Sequence, residues 1–331
     1  MKKIFVAMLA LAAAAACSNE DIVSVNQEAI GFDNAFINNS VRSVNDPSYS
    51  NTNLFTDFAV FGYVEGAVLL DGVRVAEDVT NGDLKNSTWK YAGTQYWIAG
   101  ANYNFNAVAP KTNGGWEKAE GTDSSKTVLS FTNNGTTDLL YAYATAEGKV
   151  SGNELVGFTF RHVLSKVKFT FKNDYNATNA TIRVQNVQIT DAYETGTVTL
   201  NAATAWDVQA GKLPLNFGNA AVAAVDAVEA IEYTKTLESY NELLLIPGAG
   251  QTVVDGKNTY TITFTVDLLV SGTVVKSYAH TINAEFAPEA GNSYNLTATI
   301  DAENIDPQHQ QEPIEFTVTK VDNWAENASN I

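Results

Sequence analysis

Cysteine, histidine and positive charge are all scarce in this chain of 331 residues. A single cysteine excludes an internal disulfide and any cysteine-rich zinc or iron–sulfur site. The three histidines, His162, His280 and His309, lie far apart in sequence, so we interpret them as structural or solvent-facing. Lys and Arg total 20 against 37 Asp and Glu, which gives a net charge of −17. That charge argues against nucleic acid as a partner, because such binding depends on neutralising phosphates.

Motifs of the common enzyme classes are missing as well. The chain contains no GxGxxG, P-loop, HExxH or GxSxG pattern, so nucleotide-binding, zinc-protease and serine-hydrolase functions have no anchor. The acidic run 301–306 lacks the glycine and the spacing of a calcium loop. We therefore expect no enzyme, no cofactor and no metal site.

Short apolar runs separated by turn residues dominate from about residue 43 onward. These runs are alternating, aromatic or β-branched, and Asn-Gly, Asp-Gly and Ser-Gly pairs between them are typical of hairpin turns. The pattern predicts an all-β fold with two tandem antiparallel β-sandwich domains, residues 43–165 and 166–331. Residues 220–231, rich in Ala and Val, fit either a short helix or a loop.

The first residues have the layout of an export signal. A positively charged start precedes an apolar run at residues 4–11, which is too short for a membrane-spanning helix of roughly 20 residues. Small residues then lead directly to Cys17, which resembles the lipobox of bacterial lipoproteins, where the cysteine is acylated. We predict a signal peptide at 1–16 and lipidation, including palmitate, at Cys17. An ordinary signal peptide with an incidental cysteine is the alternative.

Residues 18–21, Ser-Asn-Glu-Asp, place two acidic side chains just after Cys17. This arrangement resembles the surface-export signal of Bacteroidota lipoproteins. Lipid chains at one residue anchor a protein firmly. The sequence therefore predicts a precursor that is tethered to the outer membrane and displayed on the bacterial cell surface.

Five further segments follow one another along nearly the whole chain. They are Trp89–Tyr91 with Tyr96–Pro110, Asp138–Ala142, Phe158–Val167, Leu245–Pro247 with Ala290–Tyr294, and Ile314–Val318 ending near Trp324. Each segment is weak alone, but in their order and spacing they together resemble the fimbrillin family of Bacteroidales, the subunits of type V pili.

The resemblance implies two transthyretin-like domains and a route of assembly. In the family, a trypsin-like protease cuts the surface lipoprotein after an arginine, and a leader that contains one β-strand is released. Release of that strand leaves a hydrophobic groove. A strand from another fimbrial subunit then fills this groove, and the mature protein forms part of a fimbrium. Transferred to this chain, the leader is residues 17–42 and the cut falls between Arg42 and Ser43. The removable strand then carries Ile30, Phe32, Phe36 and Ile37.

Arg42 is a suitable protease site on its own chemistry. It is the only Lys or Arg between Lys3 and Arg74, and it lies in a polar, turn-prone stretch at 38–53. Such stretches are where proteases nick chains most readily. An uncut, solvated loop is the alternative.

At the other end of the chain, a predicted terminal strand at 314–321 carries Ile314, Phe316 and Val318 on one face. A donated strand needs this pattern, because its main chain pairs with a sheet edge and alternate side chains fill pockets. The same strand equally fits completion of its own domain, which would favour a tip or anchor over a stalk position. The sequence leaves stalk, anchor and tip open.

A non-polymerising surface lipoprotein that binds glycan is the second hypothesis. It requires an exposed Trp or Tyr surface for sugar stacking, and it predicts a monomer that keeps its lipid. The pilus hypothesis instead requires strand exchange with other fimbrial subunits. We also consider a receptor on a host or bacterial surface as a partner.

Overall fold

The computed structural model describes residues 28–37, 56–78, 88–201, 203–208, 211–221, 229–305 and 314–321. Within these ranges the chain forms β-strands and one helical turn, α1 (Ala302–Ile305), which confirms the predicted all-β class. The strands are β1 (Phe32–Ile37), β2 (Asp57–Val64), β3 (Ala67–Asp78), β4 (Thr88–Tyr91), β5 (Asn102–Ala109), β6 (Trp116–Lys118), β7 (Thr127–Thr132), β8 (Leu140–Glu147), β9 (Val156–His162), β10 (Ser165–Asn173), β11 (Ala180–Tyr193), β12 (Thr195–Leu200), β13 (Thr204–Val208), β14 (Lys212–Gly218), β15 (Ala220–Ala221), β16 (Thr236–Ser239), β17 (Leu243–Leu245), β18 (Thr252–Val254), β19 (Lys257–Val270), β20 (Thr273–Ala284), β21 (Ser293–Ile300) and β22 (Phe316–Val321).

Seven strands of the N-terminal half pair in a closed ring, in the order β1–β4–β3–β2–β5–β8–β9. The ring is antiparallel except where β1 runs parallel to β9. Glu65 and Gly66 take positive φ angles of 48° and 80° in the tight turn between β2 and β3, a geometry that matches hairpin twist. The aromatic side chains of Phe58, Phe105 and Phe158 belong to the core inside the ring.

The C-terminal half is a sandwich of two sheets. One sheet has the order β15–β16–β10–β21–β22, with β17 also paired to β10. The other has the order β14–β11–β19–β18, with β20 also paired to β19. Burial alternates strictly along β10 and β21, because one face of each strand meets the core. Phe169, Phe171 and Leu296 of the first sheet share that core with Ile262 and Phe264 of the second.

A further sheet of four strands, in the order β13–β12–β7–β6, draws on both halves of the chain. β6 and β7 come before residue 165, whereas β12 and β13 follow it. Phe61 and Tyr141 from ring strands share a second apolar core with Phe131, Val198 and Leu200 from this sheet. The two halves are therefore joined by packing as well as by the chain.

Strand β2 is buried on both of its faces by this arrangement. Phe58 and Val60 belong to the core of the ring, whereas Ala59 and Phe61 belong to the second core. A strand covered on both sides needs apolar residues throughout rather than at every second position. This explains why the run at 58–64 is continuous in the sequence.

Two details go beyond the pattern of the sequence. Two strand pairs, β1 with β9 and β10 with β21, are parallel. The undecided stretch at 220–231 contains β15 and a bridge between Ile231 and Ile182, and its residues 222–228 lie outside the described ranges.

The structure offers no membrane-crossing helix in the ranges it describes, since none there is long and apolar enough.

Candidate functional site

The N-terminal segment, residues 28–37, closes the ring of the N-terminal half. Its strand β1 pairs in parallel with β9, from Phe32 opposite Val156 to Ile37 opposite Phe160. On its other side β1 pairs with β4 at one position, Phe32 opposite Trp89. Taking this segment away would therefore open the ring between β4 and β9.

Two side chains of the N-terminal segment are part of the ring's core. Ile30 is 1% exposed and Phe32 is 3% exposed. The Phe32 ring lies 5.3 Å from that of Tyr91 and 5.8 Å from that of Phe158, measured between ring centroids. Aromatic pairs at such separations attract each other beyond simple burial. The segment is thus a structural component of the core and not a surface ribbon.

Backbone hydrogen bonds fix the register of the segment before β1 begins. The Ile30 N–H donates to the Gln95 carbonyl at 2.8 Å, and the Trp97 N–H donates to the Glu28 carbonyl at 3.0 Å. The Gly31 carbonyl accepts from the Val156 N–H at 2.8 Å. The Ile30 carbonyl accepts from the Tyr91 hydroxyl, also at 2.8 Å. These bonds involve neighbours on both sides of the groove.

A carboxylate clamp holds the start of the N-terminal segment. We use this name for Gly152 and Asn153, which bind the side chain of Glu28. The Gly152 N–H donates to Glu28 Oε1 at 2.8 Å, and the Asn153 N–H and Nδ2 donate to Glu28 Oε2 at 2.7 and 2.8 Å. The Asn153 backbone, then the Gly152 backbone and the Asn153 side chain, lower the pKa of Glu28 by favouring its charged form.

The loop that forms the clamp is itself braced. The Lys149 N–H donates to Asn153 Oδ1 at 2.7 Å, and Asn153 Nδ2 also donates to the Lys149 carbonyl at 3.0 Å. Successive backbone N–H groups that point at one spot form a site for an anion. The clamp therefore recognises a carboxylate at one fixed position along the groove.

The terminal strand, residues 314–321, lies in the C-terminal sandwich at the edge of its sheet. β22 pairs antiparallel with β21, from Phe316 opposite Ala298 to Val321 opposite Ser293. Ile314 is 1% exposed, and Phe316 and Val318 are partly buried against the core of the C-terminal sandwich. In this structure the strand completes its own domain, which was one of the two alternatives left open by the sequence.

The structure places some of the predicted site residues and leaves others untested. Ile30 and Phe32 lie in the groove, and Phe36 and Ile37 belong to β1 by their backbone pairing. Cys17, Arg42 and Ser43 lie outside the described residues. The functions assigned to all of these positions stay predictions.

The clamp is a feature that sequence reasoning missed. Glu28 is one of 37 acidic residues, so its type carries no signal. Ser151-Gly152-Asn153 is a turn-like triplet of a kind that recurs throughout the chain. Only the fold brings these two places together across more than 120 positions of sequence.

The two described histidines, His162 and His280, are buried. No group of three or more His, Cys, Asp or Glu residues with metal-binding geometry occurs among the described residues. His162 Nδ1 lies 2.5 Å from Asp138 Oδ2, and the buried ring of His280 stacks on Phe264 at 5.2 Å. Burial lowers the pKa of His280 and so favours its neutral form. Both rings fit the structural interpretation.

The described tryptophans pack on apolar cores. Trp97 is 5% exposed in the core of the ring, and Trp89 is partly buried against that core. Trp116 and Trp206 are partly buried against the second core, which both halves share. Exposed aromatic rings in the described ranges are tyrosines, namely Tyr96, Tyr143, Tyr233 and Tyr240. A sugar-stacking surface would therefore have to use tyrosine there.

A family model described as fimbrillin-like matches residues 49–324, which is most of the chain. The chain belongs to the fimbrillin-like family. This membership confirms the resemblance seen in the sequence. It supports a structural, adhesive protein at the cell surface more than it supports an enzyme.

Several solved structures are similar to the chain. A candidate cell adhesion protein from Bacteroides uniformis has 16% identity and a TM-score of 0.47, covering 91% of this chain and 99% of its own. One from Bacteroides ovatus has 17% identity and a TM-score of 0.47, covering 90% and 98%. One from Parabacteroides distasonis has 10% identity and a TM-score of 0.45, covering 88% and 95%. Comparison with curated proteins gives no match.

Proposed function

We propose that the chain is a structural and adhesive subunit of a cell-surface fimbria. In this proposal it is exported as an outer-membrane lipoprotein through Cys17, cut after Arg42 and assembled by β-strand exchange. One observation carries the proposal. Ile30 and Phe32 lie in the core of the ring, yet their segment is joined to β2 through the stretch of sequence that contains Arg42.

A cut after Arg42 would leave the N-terminal segment bound by contacts alone. Full burial of Ile30 and Phe32 contributes about 1.5–3 kcal/mol for each side chain. That is enough to keep the segment in place for a time after the cut. It is also small enough for a strand with equivalent side chains to replace it.

The groove left by the segment would attract such a strand. Its walls include the aromatic rings of Phe58, Phe105 and Phe158, each within 6.5 Å of the Phe32 ring between centroids. The edge of β9 would lose its partner along Val156–Phe160 at the same time. An apolar groove beside an unpaired strand edge binds an extended peptide by adding a strand.

The terminal strand is the donor that the fold supports best. β22 occupies the edge of its sheet and pairs with β21 alone among the described strands. Its departure would therefore break a single strand pair. Donor and acceptor are different surfaces of one subunit, so repetition builds an open fibre instead of a closed dimer.

The division into domains follows the same proposal. We place the mature subunit at residues 43–331, with an N-terminal domain of 43–165 and a C-terminal domain of 166–331. β9 belongs to the ring and β10 to the C-terminal sandwich, which supports a domain boundary near the connection between these two strands. The sheet β13–β12–β7–β6 spans that boundary and would hold the two domains together.

Limited trypsin digestion of the precursor without residues 1–17 tests the proposal. We expect a single early cut after Arg42, found by intact mass, followed by ladders in size-exclusion chromatography. Arg42→Ala should abolish both, whereas Lys212→Ala, a change at an exposed position of β14, should abolish neither. A cut protein that stays monomeric at all concentrations would contradict polymerisation. It would then favour the lipid-anchored monomer that binds glycan.

A further inference from the structure

The N-terminal segment and the terminal strand share a sequence pattern. Gln-Glu-x-Ile-x-Phe occurs at Gln27–Phe32 and again at Gln311–Phe316, and nowhere else in the chain. The structure gives three positions of the first copy a function: Glu28 occupies the clamp, and Ile30 and Phe32 enter the core, whereas Gln27 lies outside the described residues. The second copy leads in sequence into β22, the candidate donor, and its first three residues, 311–313, lie outside the described ranges.

The backbone of the second copy has the N–H and carbonyl groups that the groove binds in the first copy. The bonds that hold the first copy use the Ile30 N–H and the carbonyls of Glu28, Ile30 and Gly31. Neither bond of the bridge between Ala29 and Tyr96 uses the N–H of residue 29. Pro313, which corresponds to Ala29, has no N–H to offer and is compatible with this position.

The side chains of the second copy also fit. Ile314 and Phe316 would replace Ile30 and Phe32 without change of residue type. β1 contains an irregularity between Asp33 and Ala35, after which Ala35 lies opposite Phe158. A regular strand would place Val318 opposite Phe158 and keep the alternation of Ile314, Phe316 and Val318.

One position needs an adjustment. Glu315 corresponds to Gly31, where an added Cβ would lie 2.5 Å from Leu155 Cδ2. The contact is with the far end of a side chain that is 57% exposed, so Leu155 can turn away. The backbone needs no shift at this point.

We propose that the terminal strand of a second copy of this chain replaces the N-terminal segment in the same register, parallel to β9, with its Glu312 held by Gly152 and Asn153. This deepens the proposed function and rests on it. The clamp then acts as a register mark, since a strand displaced by two residues would bring no carboxylate to it. It also selects the partner, because an incoming strand needs an acidic residue four positions before the aromatic one.

Paired substitutions at Glu312 and Glu315 test the clamp. The starting material is the precursor without residues 1–17, cut after Arg42. Glu312→Gln replaces one carboxylate oxygen by an amide N–H₂ that would face an N–H donor, so assembly should weaken about tenfold. Glu315→Gln makes the same charge change on the other face of the strand and should leave assembly unchanged. Equal melting of both uncut variants confirms that the fold is intact.

Cysteine pairs test the register. A chain that begins at residue 18 contains no cysteine, so introduced thiols report cleanly. The proposed register sets Thr319 of one copy opposite Thr159 of the next, and both side chains are exposed. Thr159→Cys with Thr319→Cys should give disulfide-linked ladders between copies. Thr159→Cys with Thr317→Cys, displaced by two residues, should not.

The outcomes separate this inference from the function on which it rests. Wild-type protein that is cut and never assembles would overturn both. Ladders in which Glu312→Gln behaves like Glu315→Gln, or in which the displaced cysteine pair links instead, would overturn the clamp and its register. Strand exchange itself would survive that second result.

Discussion

Glu28 is the residue whose contribution can be isolated most simply, because its carboxylate accepts hydrogen bonds from Gly152 and Asn153. Its pKa lies below the ordinary value of 4.5 in the folded chain, so the ionised form favours the bound segment. The contribution of the ionised carboxylate to binding of the segment is complete above pH 4.5 and is lost as the pH falls through the folded-state pKa.

The corresponding prediction compares release of the cut leader from wild type and from Glu28→Gln. Above pH 4.5 wild type should release it more slowly, because only the carboxylate fills the clamp with two charged acceptors. As the pH falls through the folded-state pKa of Glu28 the two rates should converge, since protonation removes the difference. A gap that persists unchanged at low pH would show that the charge of Glu28 is not what holds the segment.

Phe32 gives a second prediction at this scale. Phe32→Ala should lower the free energy of unfolding of the uncut protein by about 3–5 kcal/mol, since a buried ring is lost. Leu155→Ala is the matched control, because that side chain lies beside Gly31 but is 57% exposed. It should change the stability by less than about 0.5 kcal/mol. Denaturant unfolding measures both, and similar effects would contradict a core function for the segment.

At the scale of elements, β22 is the strand on which assembly depends. The Phe316 ring lies 5.5 Å from that of Phe169 and 6.0 Å from that of Phe264, between centroids, within its own domain. Phe316→Ala should therefore lower the stability of the monomer by about 2–3 kcal/mol. It should also block assembly, because the same ring is needed in the acceptor groove.

Thr317→Ala is the control for that prediction, since Thr317 is exposed on the opposite face of β22. It should affect neither monomer stability nor assembly. Chemical denaturation and size-exclusion chromatography of the cut protein give the two readouts. Assembly at the wild-type level by Phe316→Ala would show that another strand is the donor.

The sequence predicts strands well where one face is buried and poorly where pairing direction matters. Alternation along residues 314–319 is visible in the sequence and appears in the structure as alternating burial. The parallel pairing of β1 with β9 has no such signal, because side chains alternate between the two faces of a strand in parallel and antiparallel pairs alike. The clamp escaped prediction for a related reason: it depends on which loop the fold brings to Glu28.

At the scale of the whole molecule, the sheet β13–β12–β7–β6 couples the two halves. Leu200 is fully buried in the core that this sheet shares with ring strands. We expect the two halves of wild type to unfold in one transition. Leu200→Ala should split it into two in calorimetry, whereas Ala205→Gly, at an exposed position of β13, should not. A single transition in both variants would contradict coupling through this core.

Composition and turn residues were sufficient to predict an all-β fold, but not how the halves interlock. Strands β12 and β13 follow residue 165 and still pair into a sheet with β6 and β7. The residues of a strand do not indicate which strand it pairs with when that strand lies more than 60 positions away in the sequence. The burial of β2 on both faces results from this packing, and the sequence indicates it by the continuous apolar run at 58–64.

Exchange of the N-terminal segment for a strand of another copy is the central claim, and the composition of the assembled ladder tests it most directly. The cut protein would be allowed to assemble, and each size-exclusion fraction would be analysed by intact mass for the leader that ends at Arg42. We predict that monomers retain the leader and that each added copy in a ladder releases one. Ladders that keep a full complement of leader would show that copies associate without strand exchange, and the account would be wrong.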